Sequence, residues 1–288
     1  VVSNGSDSCE ITLVDGSGQC ELTSTAPGQP DLNLSYSGET NFNASDLIVS
    51  GPLVEKAVTS LLVTSTDLAS VYGQPVSFMA QVSVNDPGTG TPSGMVQFYL
   101  DGNLYGEPVL LVGNSAQSNI ISDLELGDHN VWAQYLGDEN MQSSNSATII
   151  QQVSPADTET TLISTRNPAP YGDSVLVIAT VVASDPSVAT PTGWVQFKVN
   201  GVDYGAPIQL NASGEANKVL PYTALWVGTH TITAEFLGSP RFNSSDNDLN
   251  PLMQVIGPAD TEITLEASSN PSAFGQSINF SLMVKALT

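Results

Sequence analysis

The chain is built from short segments in which apolar and polar residues alternate. Every second residue from Val76 to Val82 is apolar, and the same two-residue period runs from Leu32 to Tyr36 and from Val131 to Tyr135. Successive side chains of a β-strand point to opposite faces, so this period predicts strands with one face on a core. No segment of ten residues has the period of an amphipathic helix. The pattern therefore predicts an all-β fold.

These segments return in tandem copies. Gly137 follows Gly38 by 99 residues, and Gly238 follows Gly137 by 101. The pair Tyr72-Gly73 likewise returns as Tyr171-Gly172. A fixed period of this size predicts tandem domains. With about seven short strands in each copy, the economical architecture is an antiparallel β-sandwich.

The copies divide the chain into four segments, called repeats below. Residues 55–154 and 155–256 are complete repeats, whereas residues 1–54 match the second half of a repeat and residues 257–288 match the first half. Asp101-Gly102 lies between two strand-like runs and predicts a tight hairpin turn. Its counterpart in the third repeat, Asn200-Gly201, keeps the same turn chemistry.

The charge of the chain limits its classes of partner. The formal net charge is −23, because only 6 Lys and Arg residues oppose 29 Asp and Glu residues. Without a basic patch, attraction to nucleic acid or to anionic lipid is not expected. No apolar run reaches the length of a membrane span, and the N-terminus lacks the basic and apolar regions of a signal peptide.

The two cysteines, Cys9 and Cys20, flank an apolar run that turns through residues 15–18. An apolar run with this turn is typical of a β-hairpin. We expect a disulfide that closes the hairpin, and two free buried thiols are the alternative. A metal site is not expected there, because no other soft ligand lies nearby in the sequence.

The two histidines, His129 and His230, occupy equivalent positions at the start of one repeated strand. A catalytic histidine requires one copy to differ from the others, so we expect both residues to be structural. The chain has no Gly-x-Ser-x-Gly elbow, phosphate-binding glycine loop or paired-histidine motif. We therefore predict no enzyme and assign no catalytic residue.

Four acidic residues near the junctions between repeats are weak candidates for calcium ligands. Oxygen-rich junctions bind Ca²⁺ and stiffen a tandem array, and loop acids elsewhere in the repeats are expected to approach them. Solvated linker acids are the alternative, and no other cofactor is expected. The junction candidates are Asp157, Glu159, Asp260 and Glu262, and the loop acids are Asp86, Asp138 and Glu139.

One aromatic residue is predicted to face outward. Val131, Ala133 and Tyr135 share the inward face of their strand, which leaves Trp132 on the outer face. An exposed aromatic ring there is suited to contact a glycan or a protein partner. Covering of the outer sheet face is the alternative.

Six Asn-x-Ser/Thr sequons are candidate glycosylation sites in a host that glycosylates proteins. Two of them stand at the same position in different repeats, and in a chain rich in Ser, Thr and Asn others are expected by chance. The sequons begin at Asn4, Asn33, Asn43, Asn211, Asn243 and Asn279, of which Asn43 and Asn243 are the equivalent pair.

Three segments carry a resemblance to a known family. They are Tyr72-Gly-Gln-Pro-Val-Ser-Phe78, Thr190-Pro-Thr-Gly-Trp-Val-Gln-Phe197 and Gly228-Thr-His-Thr-Ile-Thr-Ala-Glu-Phe236. Together they resemble the bacterial immunoglobulin-like domain repeats of large surface proteins and adhesins. The Cys9 to Cys20 hairpin also resembles a frequent variant in that family. The resemblance implies tandem immunoglobulin-like β-sandwiches and a location outside the cell or on its surface.

The sequence thus predicts a structural extracellular repeat protein that forms a surface stalk, an adhesin shaft or a filament. The alternative is a glycan-binding or protein-binding adhesive module. Expected partners are neighbouring repeats or further copies of the chain, a glycan, or a host or cell-surface protein.

The incomplete first and fourth repeats leave two interpretations open. Head-to-tail completion between neighbouring chains would pair strand edges that otherwise invite uncontrolled association. The joined ends would still lack about a dozen residues of a complete repeat. A window cut from a longer repeat protein is therefore favoured over a polymerising subunit.

Overall fold

The structure is a computed structural model that describes residues 1–287, and strands, turns and loops make up nearly all of it. Among these residues the only helical segment is a single 3₁₀ turn, Tyr222–Ala224. Contacts group the chain into two compact units, of which the second takes in two short segments of the second repeat. The first unit is Val1–Leu68, Val76–Ile120 and Asp128–Gln152, and the second is Ala69–Pro75, Ile121–Gly127 and Val153–Thr288.

The first repeat forms one four-stranded antiparallel sheet with the strand order β2-β1-β3-β4. Along β3 the side chains alternate between exposed and partly buried, as the two-residue period predicts. The strands are β1 (Val2–Ser3), β2 (Ser8–Cys9), β3 (Asp31–Tyr36) and β4 (Ser45–Ser50).

The second repeat forms two sheets. One has the order β10-β7-β5, and the other has the order β6-β13-β11-β8-β9 with β12 paired to β11. The strands are β5 (Thr59–Ser65), β6 (Ala69–Val71), β7 (Phe78–Val84), β8 (Met95–Leu100), β9 (Asn103–Leu110), β10 (Ser115–Gln117), β11 (Gly127–Tyr135), β12 (Ser144–Asn145) and β13 (Ile149–Ser154).

The third repeat reproduces this topology. One sheet has the order β14-β16-β20, and the other has the order β15-β23-β21-β17-β18 with β19 paired to β17 and β22 to β21. The strands are β14 (Thr158–Ser164), β15 (Ala169–Pro170), β16 (Val175–Ala183), β17 (Trp194–Val199), β18 (Val202–Asp203), β19 (Ile208–Gln209), β20 (Glu215–Leu220), β21 (Gly228–Phe236), β22 (Ser245–Asp246) and β23 (Leu252–Gly257).

The fourth repeat is a two-stranded antiparallel hairpin of β24 (Asp260–Ala267) and β25 (Phe280–Leu287). Its strands pair as β5 pairs with β7 and as β14 pairs with β16. Every residue of both strands is exposed. The hairpin therefore has the strand pairing of one sandwich sheet, and among residues 1–287 no second sheet packs against it.

The core of each complete repeat lies between its two sheets, which confirms the sandwich architecture. In the third repeat, Val177 and Val181 of one sheet share a buried cluster with Phe197, Ile232 and Phe236 of the other. Burying a side chain of this size stabilises the fold by about 1.5–3 kcal/mol. The two-residue period thus places apolar side chains on one face of each sheet, and these two faces pack against each other.

The predicted hairpin turns are also present. Asp101 and Gly102 have φ angles of 50° and 79°, and Asn200 and Gly201 have φ angles of 52° and 79°. Positive φ at both central positions is the conformation that Asp-Gly and Asn-Gly pairs adopt most readily in two-residue hairpins. The four repeat boundaries inferred from the sequence stay predictions.

Candidate functional site

The repeated histidine strand is a core strand, as its period predicts. Val131, Ala133 and Tyr135 of β11 are fully buried, which confirms their inward orientation. The histidine that precedes them in each repeat is part of a turn contact. The two contacts differ chemically.

In the second repeat, His129 bonds to the carboxylate of the hairpin turn. Its Nδ1 lies 2.7 Å from Oδ2 of Asp101, whose Oδ1 accepts the N–H of Asn130 at 2.8 Å. Partial burial alone would raise the pKa of Asp101, but these hydrogen bonds and the nearby imidazole hold that pKa below its ordinary value. The contact fastens the turn to the start of β11.

In the third repeat, an amide replaces the carboxylate. Asn200 Nδ2 lies 3.1 Å from Nδ1 of His230, and Nε2 of His230 lies 2.8 Å from the carbonyl oxygen of Trp226. An amide N–H donates, so Nδ1 accepts and Nε2–H donates, which fits the neutral imidazole. His230 is buried. Each histidine thus takes part in a turn contact of its own repeat, and the absence of a catalytic role stays a prediction.

A second polar contact closes the far end of β11. The Tyr135 hydroxyl donates to the Ser93 carbonyl at 2.6 Å and lies 3.2 Å from Oδ2 of Asp138. Burial of Asp138 acts to raise its pKa, but hydrogen bonds from Ser93, Asn140 and Met141 outweigh burial and lower the pKa to about 2. Burial and the Asp138 charge raise the pKa of Tyr135 to about 12. The carboxylate of Asp138, considered above as a calcium ligand, therefore already accepts hydrogen bonds from residues of its own repeat.

The outer face of the second repeat carries an aromatic row. The rings of Trp132 and Tyr99 stack with their centroids 3.9 Å apart and their planes within 2°. Leu104, which pairs with Tyr99 across β8 and β9, is 69% exposed. Trp132 is half-buried rather than fully exposed, because its ring covers Tyr99. The aromatic row is defined here as Leu104, Tyr99 and Trp132.

The third repeat has a different surface at the same positions. Lys198 and Thr233 pair in β17 and β21 as Tyr99 and Trp132 pair in β8 and β11. Lys198 Nζ donates to Oε2 of Glu235 at 2.7 Å. This hydrogen bond and the Glu235 charge raise the pKa of Lys198. The fold therefore forms without the aromatic pair.

A compact cluster lies at one end of the third repeat, inside the second unit. The Tyr72 ring meets the Phe242 ring edge-on, with centroids 5.6 Å apart. The guanidinium carbon of Arg241 lies 4.9 Å from the centre of the Tyr72 ring, and Arg241 forms an ion pair with Glu125. These four residues and Gly73 are called the Tyr72 cluster below. Residues of the second repeat thus pack on loops of the third.

Gly73 fits the Tyr72 cluster only as a glycine. Its φ is +81°, and a Cβ atom there would lie 2.5 Å from Cβ of Ala189 and 2.5 Å from Oγ of Ser187. The Gly73 carbonyl accepts the N–H of Val188 at 3.1 Å. The turn at Tyr72-Gly73 therefore packs closely against the loop of the third repeat that contains Ser187 and Ala189.

The acidic candidates do not assemble into a metal centre within residues 1–287, where no group of three or more His, Cys, Asp or Glu side chains is arranged to hold an ion. Asp157 accepts a hydrogen bond from the side-chain amide of Asn243 at 2.7 Å. Glu159 lies in β14, and Asp260 and Glu262 lie in the exposed strand β24. Calcium binding by these residues stays a prediction.

The two cysteines form the expected disulfide. Cys9 ends β2, and its Cα atom lies 6.0 Å from that of Cys20. Between them, Val14 and Ser17 exchange backbone hydrogen bonds at 2.9 and 3.1 Å across a tight turn. The alternative of two free thiols is therefore wrong for this structure.

The candidate sequons lie at the surface but differ in their contacts. Asn43 is exposed in the loop before β4, whereas Asn243 uses its amide to bond to Asp157. Asn211 Oδ1 accepts the N–H groups of Ser213 and Glu215, which shapes a turn. Of the other sequons, Asn33 lies in β3, and Asn4 and Asn279 lie in loops.

A comparison with protein families decides where the chain belongs. The profile described as "Bacterial Ig-like domain (group 3)" matches residues 63–154 and 162–251, more than half of the chain. The chain belongs to this family. The two matches coincide with the two sandwiches, so the predicted resemblance is confirmed.

Solved structures with related folds cover much of the chain at low identity. The Escherichia coli adhesin FdeC is 15% identical over 83% of this chain and 76% of its own, with a TM-score of 0.30. The fibronectin(III)-like modules of Clostridium thermocellum CbhA are 18% identical over 68% of this chain and 94% of their own, with a TM-score of 0.26. No curated relative matches this sequence. Because the TM-scores are below 0.5, no function is transferred from these structures.

Sequence reasoning missed the contacts that distinguish the two Ig-like domains from each other. The stack of Tyr99 on Trp132 depends on the register of β8 and β11, and the Tyr72 cluster depends on loops far apart in the chain. One available signal was the recurring Tyr-Gly pair, since a glycine repeated at a turn indicates positive φ or close approach.

Among residues 1–287, no helix has both the length and the apolar composition that crossing a membrane requires.

Proposed function

We propose that this chain is a structural segment of a bacterial surface protein, in which tandem Ig-like domains form the shaft of a stalk or adhesin. The observation that carries the proposal is the Tyr72 cluster, in which residues of one domain pack on loops of the next. A role in extending and spacing other domains involves no catalytic step. This role also implies a location outside the cell.

The chemistry of the Tyr72 cluster supports a stiff junction. An edge-to-face aromatic pair contributes about 0.5–1.5 kcal/mol beyond the area that it buries. Arg241 adds a cation over the Tyr72 ring and an ion pair with Glu125. The chain between the domains is short and contains Pro155, which restricts its backbone. These contacts tie residues of the second repeat to loops of the third within the second unit.

Solution scattering and electron microscopy test the shaft. We expect an extended particle whose flexibility increases when Tyr72 is changed to Ala. Trp226→Ala is the matched control, since Trp226 is 69% exposed and outside the cluster. A compact globule, or a wild-type particle as flexible as the Tyr72→Ala variant, would contradict the proposal.

A second candidate function is adhesion through the aromatic row. The third repeat forms the same sheet with Lys198 and Thr233 at these positions, so the sandwich itself does not require Tyr99 and Trp132. A planar aromatic surface with an adjacent apolar side chain suits the apolar face of a sugar ring or a protein partner. Binding on a glycan array that Trp132→Ala abolishes and Trp226→Ala preserves would support this role. No binding across a broad array leaves the shaft proposal in place.

Glycosylation is proposed at Asn43 in preference to Asn243. The Asn43 side chain is exposed, whereas Nδ2 of Asn243, the atom that would carry a glycan, already donates to Asp157, so a glycan there would have to fit beside that contact. Mass spectrometry of the protein from its native source tests both positions. Modification of Asn243 with Asn43 unmodified would contradict this preference.

A further inference from the structure

The hairpin turns of the two complete repeats have the same backbone and different side chains. Asn200 and Gly201 have φ angles of 52° and 79°, against 50° and 79° for Asp101 and Gly102. All four residues are exposed to solvent. The two turns therefore differ in one chemical group, a side-chain amide in place of a carboxylate.

The histidine beside each turn lies next to the atom that differs. In the third repeat, Nδ1 of His230 lies 3.1 Å from Nδ2 of Asn200. In the second repeat, Nδ1 of His129 lies 2.7 Å from Oδ2 of Asp101. The position that holds nitrogen in one turn thus holds oxygen in the other.

The other side-chain oxygen has the same kind of donor in both repeats. Thr231 donates its backbone N–H to Oδ1 of Asn200 at 3.0 Å, and Asn130 donates its backbone N–H to Oδ1 of Asp101 at 2.8 Å. Exchanging the amide nitrogen of Asn200 for oxygen therefore gives the side-chain contacts of the second-repeat turn on the same backbone.

This exchange is a reaction that asparagine undergoes with water. Asparagine is a thermolabile residue, and one followed by glycine reacts without an enzyme. The backbone nitrogen of the glycine loses its proton and forms a bond to Cγ, while the amide nitrogen gains a proton and leaves as ammonia. Water then opens the resulting succinimide ring, at Cγ to give aspartate or at the backbone carbonyl carbon to give isoaspartate. Glycine favours the first step because it has no Cβ atom to hinder its nitrogen.

The N–H of Thr231 stabilises the charge that develops at Cγ in both steps. When the nitrogen of Gly201 adds to Cγ, negative charge develops on Oδ1 of Asn200, the atom to which Thr231 already donates. Donors that are in place before charge develops give the largest stabilisation. The same oxygen remains in the succinimide, so the same hydrogen bond activates Cγ towards water. Ring opening in the folded hairpin is therefore directed to aspartate.

We propose that Asn200 is a site of spontaneous deamidation in the folded chain, with aspartate as the main product. The oxygen that comes from water becomes Oδ2, beside Nδ1 of His230. Nε2 of His230 already donates to the Trp226 carbonyl at 2.8 Å, so donation by both ring nitrogens requires the doubly protonated imidazole. Deamidation thus gives the third repeat the contact that Asp101 and His129 form in the second.

Mass spectrometry of the folded chain, aged at mildly alkaline pH, tests this modification. Trypsin cleaves after Lys198 and Lys218, so residues 199–218 are released as one peptide. We expect its mass to rise by the difference between an amide and an acid, with the change located at Asn200. Asn211 and Asn217 lie in the same peptide and are not followed by glycine, so both should stay unchanged.

The product ratio tests the role of the hairpin. Electron-transfer fragmentation distinguishes aspartate from isoaspartate. We expect the ratio of aspartate to isoaspartate to be severalfold higher in the folded chain than in a synthetic peptide of residues 199–218, which lacks the Thr231 N–H. Equal ratios in the chain and the peptide would overturn the directed ring opening.

Gly201→Ala separates this chemistry from general ageing. A Cβ atom at position 201 would meet no atom within 4 Å, although its φ of +79° strains any side chain. The variant is expected to slow conversion of Asn200 severalfold. Gly102→Ala, which has the same φ and the same open space in the second repeat, is the matched control and should leave that rate unchanged.

Asn200→Asp provides the expected product for comparison. Nitrogen NMR of the His230 ring should show both ring nitrogens protonated in this variant, and the aged wild-type chain should acquire the same signals. Asn4, which is also followed by glycine, shows whether the ageing conditions suffice. An Asn200 that stays intact while Asn4 or the synthetic peptide converts would overturn the proposal, as would an aged chain whose His230 signals differ from those of Asn200→Asp.

Discussion

The backbone carbonyl of Gly73 accepts a hydrogen bond from the N–H of Val188 at 3.1 Å, and the two residues come from different repeats. Only a glycine permits this approach, since a Cβ atom at position 73 would lie 2.5 Å from Ala189 Cβ and from Ser187 Oγ. The turn is therefore a point where backbone conformation and domain packing depend on each other.

Changing Gly73 to Ala is expected to destabilise the fold by about 2–4 kcal/mol, through the cost of positive φ together with the collision. Gly102→Ala is the matched control, because Gly102 has a φ of +79° and a Cβ atom added there would have no neighbouring atom within 4 Å. That control should cost only about 1 kcal/mol. If urea unfolding shows that Gly73→Ala and Gly102→Ala lose the same free energy of unfolding, the collision at position 73 does not contribute to the cost.

Asp138 is expected to make stability fall in acid. Its pKa is about 2 in the folded chain, below the ordinary 3.8, so its contribution is present above about pH 4 and is lost as the pH falls towards 2. Asp138→Asn should flatten the pH dependence of the unfolding midpoint between these values. Asp123→Asn, in an exposed loop, serves as the control. If the unfolding midpoint of Asp138→Asn falls with pH as steeply as that of the wild type, Asp138 is not the source of the acid sensitivity.

Asp101→Asn tests the difference between the two hairpin turns. The asparagine keeps an acceptor for the Asn130 N–H, as Asn200 does for Thr231, but loses the charge beside His129. Because the pair of Asp101 and His129 is partly exposed and screened by salt, we expect the free energy of unfolding to fall by about 0.2–1 kcal/mol. This loss should shrink at high salt. Since the folded pKa of Asp101 is lowered, the loss should also shrink as the pH falls through the carboxylate range. A loss independent of salt and pH would contradict a charge contact.

Removing the disulfide is expected to loosen the first repeat selectively. The bond links residues separated by 11 positions, and closing a loop of similar length stabilises a fold by about 3 kcal/mol. In a Cys9→Ser, Cys20→Ser variant, hydrogen exchange should accelerate in β1–β4 and stay unchanged in the third repeat. Equal acceleration in both repeats would show that the disulfide stabilises the chain as a whole.

The sequence by itself determined the local structure. The alternation at Val131, Ala133 and Tyr135 defined which face of the strand is buried, because the side chains of a strand alternate without reference to any partner. The Asp101-Gly102 and Asn200-Gly201 pairs defined their turns through the backbone freedom of those residues. Repetition then gave the tandem sandwiches, since each copy carries its own apolar faces.

Only the tertiary structure decided which surfaces meet. Trp132 stacks on Tyr99 because strand register places the two side by side, and the counterparts of this pair in the same fold are Thr233 and Lys198. Tyr72 meets Phe242 across 170 positions of sequence, through loops with no periodic pattern. Contacts of this kind depend on the packed arrangement of distant segments, and a local pattern carries no information about that arrangement.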